Sequence, residues 1–145
     1  MTRLWSLAFA QPDGTHGIVQ LTLAETRARY RAELHVDGAF VLVDDDDVPL
    51  PKGSLLEVRA DGLWAELVCE TPGEHWGFGL EAFGLRYDDP AEALVSDRAE
   101  RVPVGLDLEW EAPDRVIGEI LVGRARIAVD ATGAFTEVGR DGRQD

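Results

Sequence analysis

Glu81 and Asp107 are the two carboxylates whose settings in the sequence suggest chemistry. Glu81 lies between Leu80 and Ala82-Phe83, in the most apolar stretch of the chain. Buried there without a cation, it would be held protonated near neutrality, the state a general acid needs. Paired with Arg86 or Arg101, or turned to solvent, it would be structural instead. Asp107 sits on the polar face of an alternating run and is the second group that could supply or accept a proton.

Other reactive side chains do not form motifs. Ser6, Ser54 and Ser96 lack the glycine spacing of a nucleophile elbow. Cys69 falls on the expected inward face of a hairpin with no histidine near it in sequence, which makes it a buried structural thiol. His16, His35 and His75 are scattered, without the short spacing of metal ligands on one element, so neither a metal site nor a cofactor is expected. The run Asp44 to Asp47 lacks the alternating ligands, central glycine and closing glutamate of a calcium loop and reads as a solvated loop. Gly77, Gly79 and Gly84 are not followed by a helix, so the dinucleotide fingerprint fails, and glycines within a strand mark bends, bulges or the close approach of a ligand.

Aromatic residues are the other candidates, for binding. Tyr30, Trp76, Phe78, Leu80 and Trp110 fall on the apolar sides of alternating runs, where they either pack a core or line a cavity. Trp64 falls on the opposite side, facing Arg59 across a hairpin and within reach of a cation–π contact.

The elements that position these residues are strands. From Arg27 to Val36 apolar and polar residues alternate with period two. Asp37-Gly38 then supplies the positive φ angles of a tight hairpin turn before Ala39 to Val43. Asp61-Gly62 repeats the device between Leu55–Ala60 and Leu63–Glu70. His75 to Tyr87 is apolar on both faces, which predicts a strand covered on both sides. Asp89-Pro90-Ala91-Glu92 predicts the start of one short helix, over Pro90 to Ser96. Further strands are expected from Arg101 to Glu111, Val116 to Val122, Ala125 to Asp130 and Ala134 to Val138. The expected architecture is an all-β, antiparallel barrel of about nine strands with one short helix, a single domain over 1–138 and a flexible tail over 139–145.

Composition narrows the function. Fourteen basic against twenty-eight acidic residues leave a net charge of -14, which repels nucleic-acid phosphates and anionic membranes. The apolar run ending at Ala10 is too short to span a membrane and carries no signal-peptide cleavage pattern. One cysteine cannot form an internal disulfide, which fits a cytoplasmic setting.

The segments Gly62–Glu70, His75-Trp76, Gly79–Gly84, Asp88–Pro90 and Val102–Glu111 resemble actinobacterial lipocalin-like proteins related to hydroxyneurosporene synthase, a carotenoid hydratase. The resemblance covers about Tyr30 to Gly133. It implies a calycin-type barrel and an apolar, isoprenoid- or polyketide-like ligand, with alkene hydration or cyclisation in some relatives. Three functions follow as expectations. The first is a barrel whose cavity binds a small hydrophobic molecule, lined by Tyr30, Trp76, Phe78, Leu80 and Trp110. The second is a hydratase or cyclase of the same shape, using Glu81 or Asp107. The third is a non-catalytic module that self-associates as a homodimer through an apolar face.

Overall fold

The computed structural model describes residues 2–89, 91 and 99–139. These form ten antiparallel strands in one sheet: β1 (Arg3–Ala10), β2 (His16–Leu23), β3 (Ala28–Val36), β4 (Ala39–Val48), β5 (Leu56–Ala60), β6 (Leu63–Thr71), β7 (His75–Tyr87), β8 (Glu100–Glu111), β9 (Arg115–Val122) and β10 (Ala125–Val138). The chain is all-β, as its alternation predicts. Apart from Ala91, the expected helix over Pro90 to Ser96 lies outside the described residues, as does the tail beyond Gly139.

Strand order is β4-β3-β2-β1-β10-β9-β8-β7-β6-β5, and β4 also pairs with β7. That pairing closes a ring of eight strands, with the β5–β6 hairpin extending beyond it. The closure is short: Phe40, Val41 and Leu42 oppose Tyr87, Arg86 and Leu85. Before that point β7 pairs with β6 instead, from His75 to Ala82. Gly84 lies between these partners, where a Cβ would stand 2.9 Å from Val104 Cγ2 and 3.0 Å from Leu42 O. Glycine lets the strands draw together at this point.

Inward-facing residues build one continuous core. Trp5 and Leu7 of β1, Leu21 of β2, Tyr30 and Leu34 of β3, Val41 of β4, Leu108 of β8 and Ile120 of β9 are each almost wholly buried. At about 25 cal/mol per Å2 of apolar surface, each such side chain contributes about 2 kcal/mol on leaving water. No helix among the described residues is long and apolar enough to cross a membrane.

Several sequence expectations need correction. The ten strands are close to the nine expected, but Arg3–Ala10 and His16–Leu23 are among them, and Ala131-Thr132-Gly133 continues β10 without a break. Gly133 permits close packing inside that strand: a Cβ there would lie 2.6 Å from Ala8 O. The aspartate run is not a loop but the second half of β4: Asp44 on it pairs with Arg29 and Arg31 of β3, and Asp47 with Arg27 just before β3. The two Asp-Gly turns also differ. Asp37 and Gly38 both take positive φ (49° and 76°), whereas in the second only Gly62 does, at 71°. Finally, β7 is not covered on both sides: Phe83 and Leu85 on its outer face are 49% and 41% exposed.

Candidate functional site

The residues expected to line a cavity do face inward, and all are buried. Trp76 and Trp110 oppose each other across β7 and β8. Both pack on Phe135 of β10, with ring centroids 4.8 Å and 5.4 Å away, and Phe78 meets the same ring edge-on at 5.7 Å. Phe135 thus fills the space between three expected ligand-binding residues. Tyr30 lies apart from them, between Leu21 and Asp45 in register. Among the described residues its hydroxyl and the Trp110 indole N–H are buried without hydrogen-bond partners. Burial pushes the Tyr30 pKa up.

Glu81 and Asp107 do not face this interior. Both are exposed on the outer side of the sheet, on β7 and β8. Leu80 and Ala82, the apolar neighbours of Glu81, point inward, and alternation turns Glu81 the other way. The burial that would have made it a general acid is therefore absent. Cys69 is corrected in the same sense: it is exposed, at the end of β6 where burial ceases, and partial desolvation, Glu137 and Glu70 raise its pKa away from thiolate chemistry.

What the two carboxylates line is a groove on the outer face of β6 to β9. Cross-strand register sets its rows. Trp64, Glu81, Gly105 and Leu121 form one; Glu66, Gly79, Asp107 and Glu119 the next; Val68, Gly77, Glu109 and Ile117 the third. Each row contains one glycine where a side chain would otherwise stand, and the three glycines form the floor. A Cβ built on Gly77 would meet nothing within 4 Å, so the space above it is open. The hollow over these rows has a volume of ≈ 480 Å3. A second hollow of ≈ 510 Å3 shares Trp64, Glu81, Gly105 and Leu121 with the first and continues past Phe83 and Pro103. Volumes of this size suit a small organic molecule.

Trp64 is the fixed wall. Its ring edge reaches over Gly79, where an added Cβ would sit 3.4 Å from it. The indole N–H donates to Glu57 Oε2 at 3.0 Å, and Glu57 in turn lies 3.5 Å from Arg59 Nε. These contacts, the Trp64 hydrogen bond first, hold the Glu57 pKa below its usual value. Trp64 does oppose Arg59 in register, as expected, but its polar partner is Glu57. At the far end of the groove the Arg101 guanidinium stacks 4.1 Å above the Phe83 ring.

In the sequence Glu81, Asp107 and Trp64 stand out by type but nothing joins them. Gly105, Leu121, Glu66 and Glu119 carry no signal there, because their spacing becomes informative only through the cross-strand register. His16 and His35, expected to be scattered, are brought together by the pairing of β2 and β3 and stack at 4.2 Å. Burial, and secondarily His16, lower the His35 pKa. His75 bonds Glu109 at 2.6 Å. Among the described residues no three His, Cys, Asp or Glu side chains gather as metal ligands would.

Compared with protein-family models, with curated proteins and with solved structures, the chain finds no match.

Proposed function

We propose that this protein binds a small, largely hydrophobic molecule, and that the molecule lies along the outer groove of β6 to β9. The observation that carries the reading is the run of floor glycines, Gly105, Gly79 and Gly77, one in each of three successive rows beside Trp64 and Leu121. Glycine within a strand forfeits side-chain packing and costs backbone entropy, so three together on one exposed face need a reason. Access of a ligand to the sheet surface supplies one. The lipocalin-like resemblance supports the same ligand class. An acid/base role for Glu81 or Asp107 in a barrel cavity loses support, since neither side chain faces inward.

The test is titration with Nile red, a neutral dye that brightens in apolar surroundings. Gly77→Leu, which fills the open floor, and Trp64→Ala should each weaken saturable binding about tenfold or more, while Trp76→Phe leaves it unchanged. Binding that follows Trp76 and ignores Gly77 would overturn the groove.

A second reading, a ligand inside the ring, draws support from the unpartnered Tyr30 hydroxyl and Trp110 N–H. A buried polar group without a partner costs about 1 to 3 kcal/mol, and a polar atom of an interior ligand would relieve it. Tyr30→Phe discriminates. It should raise stability if the hydroxyl is an orphan, and should weaken Nile red binding if the hydroxyl holds a ligand.

A further inference from the structure

The groove is electrically lopsided. Glu66, Glu70, Glu81, Asp107, Glu109 and Glu119 border the half over Gly77 and Gly79, whereas Glu81 alone among charged groups borders the half that runs on to Phe83. No lysine or arginine lines either half. Glu109 has His75, and Glu119 has Arg126 at 3.4 Å. Glu66, Glu81 and Asp107 have no cationic partner among the described residues. At the opposite end Arg101 caps the apolar half.

Resting on the groove reading above, we infer that the ligand is an organic cation with an apolar body. Its ammonium or guanidinium end lies over Gly77 and Gly79 among the carboxylates. Its hydrocarbon or aromatic body runs across Gly105, against Trp64 and Leu121, toward Phe83. Three physical points converge on this polarity. Unneutralised carboxylates lining one half of a cleft attract positive charge, and the low-dielectric wall beside them concentrates the field. Trp64 and Leu121, at the junction of the two halves, offer the body an apolar wall. Arg101 at the far end repels a ligand bound the other way round. A bare divalent ion would need several oxygens converging within about 2.6 Å. These carboxylates are instead strung along rows, which suits a diffuse organic charge. From Gly77 to Phe83 the groove runs about 20 Å at 3.3 Å per residue, enough for a charged head and a body of several carbons.

A matched series separates charge from shape: 4-phenylbutylamine, 4-phenylbutanol and 4-phenylbutyrate share a body and differ in the end group. Each is titrated into the isotopically labelled full chain while the amide signals of Gly77, Gly79 and Gly105 are followed. The amine should bind about tenfold more tightly than the alcohol and the carboxylate more weakly still, a modest ratio because exposed charges are screened. Between about 0.01 M and 1 M salt the preference should collapse, as the screening length shortens from about 30 Å to about 3 Å. The double variant Glu66→Gln/Asp107→Asn should remove the preference for the amine while leaving alcohol binding intact. Gly77→Leu should weaken all three. If the alcohol binds as well as the amine and Gly77→Leu abolishes both, the charge inference is overturned and the groove stands. If none of the three moves the glycine amides at millimolar concentration, both are overturned.

Discussion

Asp107 on β8 and Glu119 on β9 stand directly opposite one another on the outer face of the sheet. Like charges in that relation destabilise a strand pair. Arg126 neutralises only the Glu119 side, at 3.4 Å. Asp107→Asn should therefore stabilise the free protein by about 0.5 kcal/mol, seen as a higher urea midpoint with an unchanged slope. In about 1 M salt the difference should vanish, because the two charges are exposed. A lower midpoint at low salt would show that Asp107 is held by a favourable contact and that its charge is not a cost of folding.

How much was readable beforehand depended on contrast between the two faces of each strand. Arg27 to Val36 alternates sharply, so β3 could be read at once. β1 could not, because Leu4, Ser6 and Ala8 on its outer side are apolar or small and differ little from Trp5, Leu7 and Phe9 on its inner side. Asp44 to Asp47 has the composition of a loop, yet it is a strand because Arg29 and Arg31 of β3, and Arg27 just before it, stand opposite, and that partnership depends on a pairing outside the run. Gly133 falls in the gap between the expected strands Ala125–Asp130 and Ala134–Val138, whereas its actual constraint is the backbone of β1, 2.6 Å from where its Cβ would be. For the site, the carboxylates and Trp64 could be picked out by type. The hollow could not, since a glycine leaves a gap only relative to its cross-strand neighbours, and Gly79 and Gly105 acquire that meaning beside Trp64 and Leu121.

Acid sensitivity should centre on Asp44. Arg29 binds it in a fork, Nε to Oδ1 at 3.0 Å and Nη2 to Oδ2 at 2.8 Å, and Arg31 reaches the same carboxylate. The Arg29 hydrogen bond is the chief cause of an Asp44 pKa below 3.8, with Arg31 adding to it. For a carboxylate whose pKa is lower folded than unfolded, the linked stability is fully present above the unfolded value. It drains away as pH falls through the folded one. Stability should thus decline below about pH 4. In Asp44→Asn that part of the decline should be missing, at a cost near neutral pH of about 1 kcal/mol, the upper range for a partly exposed pair. The check is the urea midpoint of both proteins from pH 7 to pH 2. Parallel curves over that range would remove Asp44 as the source.

Two glycines on the outer-groove strands should respond to alanine with opposite signs. Gly118 on β9 has φ of 143°, and a Cβ there would stand 1.9 Å from the backbone oxygen of Asp107. Neither obstacle can yield cheaply, because the φ region is one L side chains rarely enter and the clash is with main chain of the neighbouring strand. Gly118→Ala should lose at least about 2 kcal/mol, combining backbone strain with displaced strand pairing. In a chain of this size that lowers the melting temperature by about 5 °C or more. Gly77 on β7 is the contrast. Its φ lies outside the positive region and its Cβ would meet nothing within 4 Å. Gly77→Ala should therefore be neutral, or gain up to about 1 kcal/mol through reduced freedom of the unfolded chain. A stable Gly77→Ala variant would mean that Gly77 is kept for the space above it, whereas Gly118 is kept for the sheet itself. If Gly77→Ala melted as early as Gly118→Ala, the openness of the floor would be wrong, and with it the steric logic of the groove.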